Sequence, residues 1–291
     1  MPGGSPCDIR PVVADPNRPP PLAPPIPALV LAGRRRSAAD PVALAAGASH
    51  KALVPVAGVP MLVRVIQSLR AARSIGRITV SIDDPTRLAA LPSLAALRAD
   101  GALVVHQSLD SPSASVRDAL QTAGSDPPVL VTTADHPLLT AEMVDHFVAA
   151  ARGLEADVVA AVVTEDVLRR HHPESPRTIV PLRGEGVTGA NLFLLRTAEA
   201  ERVVAFWART EGVRKRPWRL VSLFGPIALA RFALRTLDLD AAARVASRRI
   251  GARVAVVRLP FAEAAIDVDR PADLALATRI LSARESGAAP G

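Results

Sequence analysis

Residues 128–140 read PVLVTTADHPLLT, and residues 141–151 continue AEMVDHFVAAA. The run from Pro128 to Thr133 is apolar and rich in β-branched residues, which predicts a buried strand. Turn residues Ala134-Asp135-His136-Pro137 follow at once, and Thr140 is a good N-cap for a helix over Ala141 to Ala151. The same alternation appears upstream. Ala28 to Ala32 is a short apolar run that stops at Gly33, and Lys51 to Val56 with turn residues Gly58 and Pro60 leads into a helix from Met61 to Ala72. Arg77 to Ile82 and Ala102 to His106 read as strands, with helices over Leu88 to Arg98 and Ser115 to Ala123. Downstream, Asp157 to Thr164 reads as a strand, and Thr178 to Arg183 and Asn191 to Arg196 as strands around a glycine-bearing loop. Alanine-rich helices run to about Arg249, followed by a strand over Arg253 to Arg258 and a helix over Pro271 to Ala283. Strands alternating with helices imply an α/β fold with a mainly parallel sheet and right-handed crossovers.

Composition bounds the rest. With 291 residues, 49% of them hydrophobic, the chain can bury one large core, and we expect one domain with embellishments. Ten of the 27 prolines fall within the first 27 residues. That opening has no apolar run of signal-peptide length, so residues 1–27 are expected to form a disordered or polyproline leader, with the domain occupying 28–291. The single cysteine, Cys7, excludes a disulfide framework within one chain, which fits a cytoplasmic protein. The net charge of +7 is local: residues 200–258 carry 13 Arg or Lys against 4 Asp or Glu, an excess of 9. With aromatics at 3% and no tyrosine, the chain lacks stacking platforms, and nucleic acid is not an expected partner.

Three segments at strand ends could converge where open α/β sheets bind ligands, beyond the carboxyl ends of the strands. The first is Leu31-Ala32-Gly33-Arg34-Arg35-Arg36, where a glycine lets backbone approach a phosphate and cations neutralise it. Lys51 follows 18 residues after Gly33 and is one of only two lysines in an arginine-dominated chain; it can act as a point charge on phosphate or be an ordinary surface lysine. The second segment places Asp135 just past a strand, where a carboxylate can hold Mg²⁺ or simply cap the turn before Pro137. His136 beside it reads as structural. In the third, Asp267-Val268-Asp269-Arg270-Pro271-Ala272-Asp273, alternation sets Asp267 and Asp269 on one side, a pair that is repulsive without a cation. Asp269 could also N-cap the helix that starts near Pro271.

These pieces resemble the nucleotidyltransferases of the molybdenum-cofactor guanylyltransferase-like superfamily, the MobA-like NTP transferases. The likeness runs from about Ala28 to Ala283 through Leu31-Ala32-Gly33, His50 to Leu62, Thr133 to Leu139, Gly189 to Leu192 and Asp267 to Leu274, in that order. It implies a Rossmann-like three-layer sandwich of the glycosyltransferase-A type. It implies further that Leu31, Ala32 and Gly33 contact the nucleotide, that Lys51 binds its phosphates, and that Asp135 with Asp267 or Asp269 holds Mg²⁺ or Mn²⁺. Gly189 and Asn191 would lie near the acceptor, and Ser113 and Ser115 resemble the serine-bearing loop that holds the base in cytidylyltransferases, which favours CTP, with GTP second. Many members carry a longer glycine-rich loop after the first strand; here three arginines follow Gly33 directly, and Arg34 would take over phosphate binding.

The expected reaction moves a nucleoside monophosphate from a nucleoside triphosphate to a phosphorylated small molecule, releasing pyrophosphate. A nucleotide-sugar-dependent glycosyltransferase and a non-catalytic nucleotide-binding protein of the same fold are the alternatives. The basic stretch Arg214-Lys215-Arg216-Pro217-Trp218-Arg219 next to apolar Leu220 to Leu234 belongs to a basic helical insertion at about 198–250. Lys215 there could hold the acceptor, and residues 214–234 could instead make peripheral contact with an anionic membrane. Leu220 to Leu234 is too short for a membrane span and reads as a buried or interfacial helix.

Overall fold

β1 begins at Ile26, two residues ahead of the expected Ala28, and a register irregularity between Ile26 and Ala28 accommodates Pro27, which has no N–H to give a neighbouring strand. The computed structural model describes residues 24–34, 40–89, 91–122, 127–210, 218 and 222–286. Most of the expected leader and Lys215 therefore lie outside the described residues, as do Arg35 and Arg36.

The strands are Ile26–Leu31 (β1), Pro55–Val56 (β2), Val59–Pro60 (β3), Ile75–Ile82 (β4), Leu103–Gln107 (β5), Val129–Thr133 (β6), Val158–Thr164 (β7), Val180–Pro181 (β8), Gly186–Leu195 (β9) and Val254–Arg258 (β10). The helices are Pro41–Ala45 (α1), Met61–Ala71 (α2), Thr86–Ala89 (α3), Ala95–Ala99 (α4), Pro112–Thr122 (α5), Ala141–Arg152 (α6), Glu165–His171 (α7), Ala200–Thr210 (α8), Pro226–Ala233 (α9), Leu239–Ile250 (α10) and Pro271–Glu285 (α11). Across the main sheet the order is β10, β7, β9, β6, β1, β4, β5, with β8 added to β9. Only β9 runs against its neighbours; every other pair along that path is parallel, so β1, β4, β5, β6, β7 and β10 end at one edge.

Alternation along the central strands feeds two cores. Ala28 and Val30 of β1 join Ile78, Val80 and Leu130 under α2, α6 and α11, while Leu29 joins Val129, Val131, Val116 and Val204 under α5 and α8. This is a three-layer α/β sandwich, as the pattern of elements predicted.

Several local readings change. The helix expected over Leu88 to Arg98 breaks into α3, a 3₁₀ turn at Pro92–Leu94 and α4, because Pro92 holds Leu91 in an extended conformation. The strand expected over Thr178 to Arg183 shrinks to β8. The glycine-bearing loop after it is instead the first half of β9, a strand of ten residues. Of the helix expected over Leu220 to Leu234, the described part, α9, is not buried: only Ala228 in it is buried, and Ile227 is 78% exposed, while Leu220 and Val221 lie outside the described residues. Among the described residues no helix is long and apolar enough to cross a membrane.

Candidate active site

Asp135 stands where β6 ends. Two backbone bonds fix it there: Ala134 N–H donates to the Leu31 carbonyl of β1 at 2.9 Å, and Val268 N–H donates to the Asp135 carbonyl at 2.8 Å. The second bond brings the late segment 267–269 against the exit of β6. As the alternating pattern required, Asp267 and Asp269 face the same point, and one carboxylate oxygen from each of Asp135, Asp267 and Asp269 lies within 4.8 Å of the others.

Lys51 enters from the opposite side on a 3₁₀ turn, Lys51–Leu53. His50 anchors that turn: its Nδ1 accepts from Ala52 N–H, and its Nε2 donates to Asp83 Oδ1 at 2.8 Å, just past β4. Burial lowers the pKa of His50 although Asp83 works against it, which keeps the ring in this neutral two-partner arrangement. Lys51 Nζ then reaches Asp135 Oδ2 at 2.6 Å and Asp269 Oδ1 at 2.9 Å. Burial opposes its charge, but the two carboxylates outweigh burial and raise its pKa above the ordinary lysine value. The lysine is a charged bridge across the acidic cluster, not a solvated surface residue.

Asp267 is held differently. Arg177, which no motif singled out, pairs with its carboxylate and donates to its carbonyl, and also lies 3.1 Å from Asp273 Oδ1. Asn191 Nδ2 donates to the other carboxylate oxygen at 2.9 Å. Asn191 reaches it from a bulge: β9 gains residues against β7 between Ala160 and Val162, and Asn191 takes φ 49°, a left-handed conformation that asparagine tolerates. Gly189 is exposed on the same strand, with open space where a side chain would begin. The helix-capping reading of Asp269 is corrected. Asp273 Oδ2 accepts from Asp269 N–H and Arg270 N–H, which leaves the Asp269 carboxylate turned toward Lys51.

His136 is buried, and desolvation pushes its pKa down to about 4, so it stays neutral and structural as expected. Asp135 Oδ1 is buried with no hydrogen-bond partner. An orphaned carboxylate oxygen among hard oxygen donors, with no thiolate or imidazole in the cluster, fits Mg²⁺ or Mn²⁺.

Beside this cluster, Arg34, Asp83, Gln107, Ser108, Leu109 and Asp110 line a cavity of about 220 Å³. Gly33 packs against Ser108 of that lining: a Cβ there would come within 2.6 Å of Ser108 Oγ, so glycine lets the segment after β1 and the loop after β5 approach this closely. Ser113 and Ser115 are buried in the first turn of α5, and the Ser115 hydroxyl accepts from Leu109 N–H and donates to the Ser111 carbonyl, each at 2.9 Å. They shape the loop; their hydroxyls do not stand free in the cavity. A larger cavity, about 340 Å³, lies beneath the start of β7, but its Arg196 is spent on the Leu154 and Ala156 carbonyls, so size does not mark the site.

The MobA-like NTP transferase domain matches residues 28–249. The chain belongs to that family. It is a nucleotidyltransferase. Among solved structures, this MobA-like protein is similar to a hypothetical transferase from Thermus thermophilus, with 29% identity over 86% of this chain and 99% of that one and a TM-score of 0.70. The 4-diphosphocytidyl-2C-methyl-D-erythritol synthase of Anaerococcus prevotii shares the fold at 13% identity, covering 89% and 96% of the two chains with a TM-score of 0.55. A CMP:2-keto-3-deoxy-manno-octonic acid synthetase complexed with CTP does so at 12% identity, covering 90% and 100%, with a TM-score of 0.53. No curated protein sequence matches the chain.

Proposed function

We propose that this enzyme transfers a cytidine monophosphate unit from CTP to a phosphorylated small molecule, releasing pyrophosphate. The observation that carries the reading is the Lys51 ammonium set between Asp135 and Asp269 at the carboxyl ends of the strands. A phosphate oxygen of the acceptor attacks the α-phosphorus, a new O–P bond forms, and the bond from the α-phosphorus to the bridging oxygen breaks to release pyrophosphate. Positioning and charge neutralisation carry such a step, and an acceptor that is already a phosphate anion needs no general base.

Asp135 and Asp269 are the residues that would hold Mg²⁺, because Lys51 leaves both when it turns to the triphosphate, whereas Asp267 remains engaged by Arg177 and Asn191. When bound, Mg²⁺ neutralises triphosphate oxygens and orients them. Lys51 and Arg34 balance the charge that gathers on the departing pyrophosphate. The base and ribose sit in the cavity bounded by Arg34 and Asp110, where the carboxylates of Asp83 and Asp110 accept from an exocyclic amine, a donor that cytosine has and uracil lacks. The open backbone at Gly189 receives the acceptor.

The test is thermal stability with each of the four triphosphates and Mg²⁺, followed by pyrophosphate release with phosphorylated acceptors. Ligand at 100 times its dissociation constant adds about 2.7 kcal/mol. A metal-dependent shift with CTP that disappears in Lys51→Ala and Asp135→Ala is expected. A shift with a nucleotide-sugar and none with any triphosphate would overturn the reading in favour of glycosyl transfer.

A further inference from the structure

The outward side of α9 has the wrong chemistry for a helix that faces water. Pro226, Ile227, Ala230, Ala233 and Leu234 are all exposed, Ile227 by 78% and Leu234 by 74%. At about 100° per residue they form one stripe roughly 120° wide. The inner side is held by Ala228, which is buried, and by Phe224 just before the helix, which stacks on Phe206 of α8 at 5.4 Å between ring centroids. The helix is therefore firmly seated with its apolar stripe outward. The sequence around the stripe is basic: residues 209–235 carry seven Arg or Lys and one Glu, an excess of six, and among the described residues Arg231 flanks the stripe on the helix itself and the exposed Arg235 follows it.

We propose that this face docks on an anionic lipid bilayer, with Ile227 and Leu234 entering the interface and Arg231 and Arg235 meeting lipid phosphates. A short apolar stripe inside a basic field is the combination that interfacial helices use, since apolar burial and electrostatic attraction add. A second copy of this chain fits less well. The stripe offers on the order of 300–400 Å², against about 800 Å² per partner in a stable interface. A symmetric dimer would also set the same positive field against itself.

The helix is tied to the site. The Leu237 carbonyl accepts from Arg183 N–H at 2.9 Å, and Asp238 pairs with Arg183 at 2.6 Å. Arg183 lies in the hairpin between β8 and β9, and β9 carries Gly189 and Asn191. The docking itself does not depend on which nucleotide is used.

The full chain is to be sedimented with phosphatidylcholine vesicles and with vesicles containing about 40% phosphatidylglycerol, at low and high salt. Binding to the second kind alone, weakened by salt and reduced about tenfold or more in Ile227→Asp/Leu234→Asp, is the expected result. Both residues are exposed, so an unchanged melting temperature confirms that the variant is folded. Equal binding by the double variant overturns the proposal, because charge alone would then account for it. So does absence of binding to anionic vesicles, and so does a dimer in solution that the double variant dissolves while vesicles are ignored.

Discussion

Lys51 bridges Asp135 and Asp269, so on the proposed reading lysine and a divalent cation compete for the same two carboxylates. Lys51→Met should bind Mn²⁺ in the absence of nucleotide about tenfold more tightly than the native protein, measured by titration calorimetry, while pyrophosphate release falls by two orders of magnitude or more. Unchanged Mn²⁺ affinity would show that the bridge does not guard the carboxylates. Gly33 makes a second prediction at this scale. Gly33→Ala forces a Cβ to 2.6 Å from Ser108 Oγ and 2.9 Å from Ser108 Cβ, and should cost about 1–3 kcal/mol by denaturant unfolding. Gly33→Ala/Ser108→Gly removes both contacts and should recover most of that. These residues differ in how well the sequence announces them. Asp135, Asp267, Asp269 and Lys51 sit in ordered motifs that define their neighbours. Arg177 lies in a proline-flanked loop, 90 positions from Asp267 and outside any periodic pattern, so nothing local signals it.

At the scale of elements, Asp157 shows what a single carboxylate can fasten. It leads into β7, accepts from Arg253 N–H at 2.7 Å at the start of β10, and accepts from Thr197 Oγ1 at 3.0 Å after β9. Hydrogen bonds from Arg253 hold its pKa down at about 2. Because the folded value lies below the ordinary aspartate value near 3.9, its contribution is fully present above about pH 4 and lost as pH falls toward 2. Asp157→Asn should flatten that acid limb, and Asp157→Ala should cost about 2–3 kcal/mol at neutral pH. An acid limb that keeps its slope in the asparagine variant would assign it to other carboxylates. The strands of this sheet were mostly legible, because buried parallel strands are continuous apolar runs. The exceptions share a physical cause. β9 is interrupted in sequence by Gly186, Gly189 and the bulge at Asn191, so it reads as loop, and α7 is a short polar helix with little apolar periodicity, whose N-cap, Thr164, also ends β7.

For the whole molecule, the alternation of strands and helices decided the sandwich, and the C-terminal edge of the sheet decided where chemistry gathers. What the alternation could not convey is sheet order, since pairing of β1 with both β4 and β6 is a contact between distant segments. The ion pairs of Arg177 bind the late loop to the late helix, so Arg177→Leu should cost about 3–5 kcal/mol by denaturant unfolding; a variant of unchanged stability would make the pairing ornamental. Asp135 and Asp269 are 134 positions apart (269 − 135), joined by the bond from Val268 N–H to the Asp135 carbonyl. At about 5–20 residues per second, a ribosome delivers the β1–β4–β5–β6 half about 7–27 seconds before the second carboxylate appears. On the proposed reading, the nucleotide side of the cleft is synthesised well before its carboxylate clamp, which cannot close until residue 269 has emerged.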